Sequence, residues 1–304
     1  VSVGGLRPYS WFSHFKEFDV EPIVITRQWG NVYGNQLDFV APGWSKELVI
    51  EELPQGTILR TPYSPNLSNR LLLRFGEKRF RWLRKVISGY YEVLQFFFVV
   101  GPKKELYKAA KAYLAQHPVD VIIATGEPFV LFHYARKLSA SYHIPWIADY
   151  RDPWTQNLKE TNGFFKHCYS MLEKRTTSKA NAITTVSSFF ETQIRKQVPN
   201  ASFSIIPNGF DEQSMEQVES ITQGSEMLRI AFVGTIYEWH PLTIVLETLN
   251  RWVIKFPERK IELHFYGTNK NRFITEVVNS QYPGLIDTVQ THPKLPNQEL
   301  VQKL

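Results

Sequence analysis

The stretch Ile144-Pro-Trp-Ile-Ala-Asp-Tyr-Arg-Asp-Pro-Trp154 sets the narrowest limit on what this chain folds into. Pro145 fixes an extended entry, and Trp146, Ile147 and Ala148 read as a short buried strand of a parallel sheet. Asp149, Arg151 and Asp152 follow where that strand ends, and Pro153 stops the sheet from continuing. Open α/β sheets bind ligands beyond the carboxyl ends of their strands, so these polar residues are candidate site residues. An Asp–Arg ion pair that only fastens a loop is the competing reading.

The rest of the chain alternates in the same way. Strand candidates are 22–26, 119–124, 145–149, 182–186 and 203–206, followed by a second series at 229–233, 261–266 and 286–290. Helical periodicity covers 8–18, 69–100 (broken at Gly89), 103–116, 128–142, 164–179, 189–197, 241–256 and 270–281. Strands alternating with helices imply βαβ units and parallel sheets, an α/β fold. With 304 residues and 43% hydrophobic content there is enough apolar material for two cores. The polar, acidic stretch after Phe210 separates the two series, which places a linker at 211–227 between domains 1–210 and 228–304.

The single cysteine, Cys168, excludes an internal disulfide framework and a cysteine metal cluster, and favours a reducing, cytoplasmic compartment. No signal-peptide pattern and no apolar run of bilayer length is present. The chain opens on Val1 and stops at Leu304 within a helical pattern. We therefore expect a fragment, with a strand just before residue 1 and an incomplete second domain.

Glycines punctuate the strand ends. Gly4-Gly5 precedes the first helical pattern, and a strand-glycine-hydroxyl arrangement recurs at Ile230-Ala-Phe-Val-Gly234-Thr235 and Leu263-His-Phe-Tyr-Gly267-Thr268. Such turns let backbone approach a phosphate and aim helix N–H groups at it. Neither Gly-x-Gly nor a Gly-Lys-Ser/Thr loop occurs, which demotes nicotinamide enzymes and phosphate-loop ATPases.

In chain order the motifs are the Gly-Gly turn, Glu127-Pro128, Asp149–Trp154, Thr184-Thr-Val-Ser187-Ser188, Ile206-Pro-Asn-Gly-Phe-Asp211 and Phe232-Val-Gly234-Thr235. That order resembles the glycosyltransferase family 4 branch of the GT-B enzymes over nearly the whole chain. The resemblance implies two Rossmann-like domains with parallel sheets facing a cleft. A nucleotide sugar would sit mainly on the second domain and the acceptor mainly on the first. It further implies that Gly4, Gly5, Asn208, Gly234, Thr235 and Gly267 serve the donor, and Glu127 and Trp154 the acceptor side. Family members often carry a basic residue and a Lys-Gly after the position of Thr235; here Ile236-Tyr-Glu-Trp-His-Pro241 stands instead. His240 either replaces part of that charge or is an ordinary cap residue.

Retaining glycosyl transfer without a divalent ion at the catalytic centre is the mechanism so implied, with a nucleotide-diphosphate sugar as substrate and no bound cofactor or metal. The absence of an Asp-x-Asp triplet agrees with it, and no carboxylate pair at glycosidase spacing can be assigned. Such chemistry needs stabilisation of the departing diphosphate and an oriented acceptor hydroxyl. Asp149, Arg151 and Asp152 are the candidates for holding that acceptor or bracing the cleft. Arg151 is equally a structural partner for either aspartate.

Charge adds a separate clue. Between Asn69 and Val86 stand seven cations (Arg70, Arg74, Lys78, Arg79, Arg81, Arg84 and Lys85) against the single Glu77, a surplus equal to the chain's formal +6. Leucines and aromatics interleave them, and Tyr90-Tyr91 and Phe96-Phe-Phe98 follow. Residues 69–100 thus suit an anionic membrane surface, at ~1 kcal/mol per cation, or a helix with one core face and one solvated basic face. Nucleic acid is disfavoured, since no recognised motif accompanies the patch. Three functions remain: a glycosyltransferase at the inner membrane face acting on a lipid-linked or polysaccharide acceptor; a nucleotide-sugar epimerase of similar architecture; and a binding module that kept the fold and lost transfer.

Overall fold

The computed structural model describes residues 3–33, 35–156, 163–209, 227–238 and 240–303. The chain divides into two compact units, Val1–Gly209 and Phe210–Leu304. Of the expected linker 211–227, only Met227 lies among the described residues.

Unit 1 opens with α1 (Val3–His14), which runs into a single 3-10 turn. Gly4 and Gly5 lie in the first turn of α1 and Pro8 lies inside it, so the helix begins five residues earlier than its apolar periodicity indicated. Backbone N–H groups in a first turn lack intrahelical partners anyway, which makes that end tolerant of glycine.

Then come β1 (Ile23–Arg27), β2 (Val49–Leu53) and β3 (Gly56–Thr61). β1 is parallel to β3, and β2 pairs antiparallel with β3. Sequence reading missed the β2–β3 hairpin, although Leu53-Pro-Gln-Gly56 is a turn signal between two strand-like runs. The helical stretch after it is a hairpin of α2 (Leu67–Phe75) and α3 (Arg81–Leu94). Its break falls at residues 76–80 and not at Gly89, which lies inside α3. Gly76 takes φ +76, a left-handed value that glycine adopts without a Cβ clash, and its N–H bonds the Leu72 carbonyl to close α2. A mid-helix glycine costs only about 1 kcal/mol, so Gly89 does not end α3.

The remaining elements are α4 (Lys104–Leu114), β4 (Ile122–Gly126), α5 (Val130–Tyr142), β5 (Trp146–Tyr150), α6 (Gly163–Thr177), β6 (Ala182–Thr185), α7 (Ser188–Arg195) and β7 (Phe203–Ile205). β4, β5, β6 and β7 form one four-stranded parallel sheet in that order. Trp146, Tyr150, Phe132, Ile183 and Ile194 are its fully buried centre, and burying each side chain of that size contributes roughly 1.5–3 kcal/mol. Ser187 caps α7, its hydroxyl accepting from the Phe190 N–H at 3.2 Å.

Unit 2 is a three-stranded parallel sheet, ordered β10 (Val289–His292), β9 (Lys260–Tyr266), β8 (Met227–Val233). Its helices are α8 (Leu242–Lys255), α9 (Asn271–Gln281) and the short α10 (Asn297–Val301). Strand β10 starts three residues later than expected, because a 3-10 turn over Pro283–Leu285 keeps the chain turning up to Thr288. Leu246, Leu263, Phe265, Ile274 and Leu285 build the core of this unit. Among the described residues no helix is long and apolar enough to cross a membrane.

Candidate functional site

Parallel pairing puts Thr125, Asp149 and Thr184 in one row across β4, β5 and β6, near the carboxyl ends of those strands. Residues in register share a face, so both hydroxyls reach the carboxylate between them. Thr125 Oγ1 donates to Asp149 Oδ2 at 2.8 Å and Thr184 Oγ1 to Oδ1 at 2.7 Å. Arg7 of α1 completes the cluster. Its Nε lies 3.2 Å from both carboxylate oxygens and its Nη2 donates to Oδ1 at 2.9 Å. Nη1 of the same guanidinium donates to the Ile206 carbonyl at 2.8 Å and the Pro207 carbonyl at 3.3 Å, just before Asn208.

Asp149 is therefore fully buried and saturated. A carboxylate with no exposed surface and partners on both oxygens offers no lone pair to a substrate, so its place is bracing rather than contact. The bracing cation is Arg7, which the sequence reading did not single out. Its one signal was its position two residues after the Gly-Gly pair.

One residue further along each strand, the side chains point to the other face. Tyr150 donates its hydroxyl to Glu173 Oε1 of α6 at 3.0 Å; Thr155, and Gln156 at 3.0 Å, donate to Oε2. Glu173 is buried, and that burial raises its carboxyl above the usual range despite the three donors; burial also pushes the Tyr150 phenol well up. These bonds pin the far end of the loop that follows β5. Its near end is pinned by Arg151, whose Nε donates to the Gly126 carbonyl and whose Nη2 donates to the Glu127 carbonyl at 2.8 Å.

Trp154 packs at the edge of the same frame. Its ring, partly buried, stacks on Phe129 at 5.0 Å and on Phe96 at 5.2 Å. Asp152, Glu127 and Asn208 are exposed beside this frame. Lys103, at the start of α4, was also missed. Burial lowers its ammonium pKa and Arg27 adds to the lowering, while the carboxylates of Glu92 and Glu127 oppose it. Unit 1 thus gathers Asp149, Arg151, Asp152, Glu127 and Asn208 around the carboxyl ends of one parallel sheet, and Arg7 ties them to the helix that holds Gly4 and Gly5.

In unit 2, Gly234 follows β8 with φ +111 and donates its N–H to the Tyr266 carbonyl at 3.1 Å. Thr235 is exposed beside it, and the next N–H, of Ile236, donates to Asn269 Oδ1 at 3.0 Å. Gly267 follows β9 with φ +63 and donates to the His292 carbonyl at 3.2 Å. The two glycine turns therefore lie at the carboxyl ends of adjacent parallel strands. His240 closes a turn with Tyr237: its N–H donates to the Tyr237 carbonyl at 3.1 Å, and its Nδ1 lies 3.4 Å from the Tyr237 N. Among the described residues no group of three or more His, Cys, Asp or Glu side chains is placed to hold a metal ion.

Comparison with known proteins follows the same lines. The chain superposes on sucrose-phosphate synthase from Thermosynechococcus elongatus with a TM-score of 0.55 and 15% identity, over 98% of this chain and 66% of that one. The catalytic domain of starch synthase IV from Arabidopsis thaliana matches with a TM-score of 0.45 and 10% identity, over 84% of this chain and 61% of that one. The chain thus spans about two thirds of the first of these proteins and less of the second. The first likeness gives the fold, that of GT-B enzymes with two Rossmann-like domains. No curated protein matches the chain. The family model described as Glycosyltransferase Family 4 matches residues 27–214, more than half of the chain and all of the sheet that carries Asp149. The chain belongs to glycosyltransferase family 4.

Proposed function

We propose that this chain is the acceptor-side unit and the first part of the donor-side unit of a glycosyltransferase. It moves a sugar from a nucleotide-diphosphate donor to a lipid-linked or glycan acceptor, with retention and without a divalent ion at the reacting centre. The observation that carries the reading is the buried Arg7–Asp149 cluster in a member of this family. It spends an ion pair and two threonine hydroxyls on fixing the ends of β4, β5 and β6 and the chain after β7. Rigid strand ends under polar loops are what acceptor orientation requires.

In this reading Glu127 and Asp152, both exposed, hold acceptor hydroxyls, while Arg7, Asp149 and Arg151 position their loops. The side-chain-free turns at Gly234 and Gly267 let the chain approach the donor diphosphate closely, beside the exposed Thr235, where charge grows as the glycosidic bond breaks. Residues 69–100 keep the protein peripheral at the inner face of a membrane. The test is release of free nucleotide diphosphate by the complete protein from a panel of nucleotide sugars, with and without membrane lipid. Product anomeric configuration is read by NMR, and the rate is compared with and without a chelator. We expect one donor to be consumed, acceptor-dependently, with retention and no effect of chelation. Failure to consume any donor under either condition sinks the reading.

A further inference from the structure

Helix α3 is built the wrong way round for a helix that serves only the core. None of its residues is buried. Trp82, Val86, Tyr90 and Val93, spaced at four, four and three residues, form one apolar stripe, and it faces outward with exposures of 77%, 51%, 62% and 39%. The inward side is held by Ser88, whose hydroxyl meets that of Ser68 at 2.9 Å, and by Arg84, whose Nη1 donates to the Gly76 and Glu77 carbonyls at 3.0 Å each.

Beside the stripe Arg81, Arg84, Lys85, Ser88, Gly89 and Glu92, all of α3, line a shallow open groove of about 340 Å³ along the helix. Neither Arg81 nor Lys85 is ion-paired among the described residues. Gly89 leaves open space where a side chain would stand. The single acid, Glu92, lies at the far end, where Lys103 is close enough to feel its charge.

We propose that this face of α3 is a phosphate site for the headgroup of an anionic phospholipid, with Trp82, Val86, Tyr90 and Val93 entering the bilayer interface beside it. The inference deepens the membrane part of the reading above. Its chemistry is two-fold: Arg81 and Lys85, one helical turn apart and in no ion pair among the described residues, offer two cations to a phosphate. An adjoining stripe with tryptophan and tyrosine suits the boundary between headgroups and acyl chains. A second copy of the chain fits less well, because a self-complementary contact on this stripe would bring Arg81 and Lys85 toward their own copies. A nucleic acid would use the cations and leave the apolar stripe in water.

The experiment measures binding of the 304-residue chain to vesicles of phosphatidylglycerol with phosphatidylcholine, and to phosphatidylcholine alone. The variants are Arg81→Gln with Lys85→Gln, and Trp82→Ser with Tyr90→Ser. All four side chains are exposed, so thermal unfolding should be unchanged and serves as the folding control. Anionic vesicles should bind and neutral ones should not. The charge variant should bind about 20-fold more weakly, near 5-fold per cation. The aromatic variant should also bind more weakly, at low and at high salt alike. Inorganic phosphate should displace the protein more than sodium chloride at the same ionic strength.

Equal binding to neutral vesicles, full binding by the charge variant, or equal displacement by chloride overturns the site. So does a dimer that the aromatic variant dissociates, since the stripe is then a contact between copies. Donor release is measured in parallel. Vesicle binding without donor consumption removes the transferase reading and leaves this one standing, and donor consumption without vesicle binding does the reverse.

Discussion

Arg7 and Asp149, 142 residues apart in sequence, form a buried ion pair in which two guanidinium nitrogens face one carboxylate at 2.9–3.2 Å. The pair joins the first helix to the end of β5. Through Thr125, Thr184 and the Ile206 carbonyl it also reaches β4, β6 and the chain after β7. A pair this enclosed owes its retention to geometry, because desolvating two charges offsets most of their attraction.

Removing one member should therefore cost more than removing both. Asp149→Asn or Arg7→Met leaves a buried charge or a set of donors unsatisfied, and should lower stability by about 3–5 kcal/mol. The double variant Arg7→Met with Asp149→Leu should recover part of that loss. Urea unfolding of the four proteins checks it. Additive losses would mean that the two residues do not act as a pair.

The exposed acids should separate from the buried frame. Asp152→Asn should change stability by less than about 0.5 kcal/mol, as a surface substitution away from packing does. Under the proposed function it should lower transfer by about 10- to 100-fold, the worth of one hydrogen bond to a charged group. Trp154→Ala, which empties a three-ring stack, should instead cost about 3–5 kcal/mol. Unfolding and donor consumption measured together distinguish the two.

Gly126 should not tolerate a side chain. A Cβ there would meet the Phe129 ring at 2.6 Å, while its carbonyl is held by Arg151. Gly126→Ala should cost about 1–3 kcal/mol by overpacking. Its thermal transition, compared with that of Gly209→Ala, where no neighbour lies within 4 Å, provides the check.

Two buried groups give opposite dependences on pH. His133 of α5 is pushed down to about 4 by burial and by Arg136, Lys137 and Arg175, and its Nε2 has no hydrogen-bond partner among the described residues. The unfolded chain binds this proton below the ordinary histidine value and the folded chain resists it. Stability should therefore fall between about pH 6.5 and 4, by up to roughly 3 kcal/mol. His133→Leu should lose that slope. Glu173 behaves in the reverse sense. Its folded carboxyl holds the proton more tightly than the unfolded one, so stability falls as pH rises from the ordinary carboxylate value through the raised one. Glu173→Gln should flatten that limb. Unfolding free energies of each variant against the parent, measured across pH, decide both.

Much of the architecture was legible in the chain. Eight strands and most helices were located within a few residues, because strand and helix leave different periods of apolar residues along the sequence. The hairpin at β2 and β3 was overlooked because its alternation is short and its outer strand is largely exposed. The helix break went to the wrong glycine because composition does not say which of Gly76 and Gly89 takes the left-handed backbone.

For the site, the alternation of strands and turns along the chain already shows which residues gather at the carboxyl ends of strands, and hence that Asp149–Trp154 and Ile206–Gly209 lie at and just beyond those ends of one parallel sheet. What each of them does follows from the folded chain. Asp149 faces inward to Arg7, Arg151 holds the turn at Gly126 and Glu127, Trp154 stacks against Phe96 and Phe129 at the edge of a core, and Asp152 and Glu127 are left in solvent. Apolar period is a local property, written in neighbouring residues. An ion pair or a ring stack depends on which distant segments the sheet order brings side by side, and no spacing along the chain records that distance.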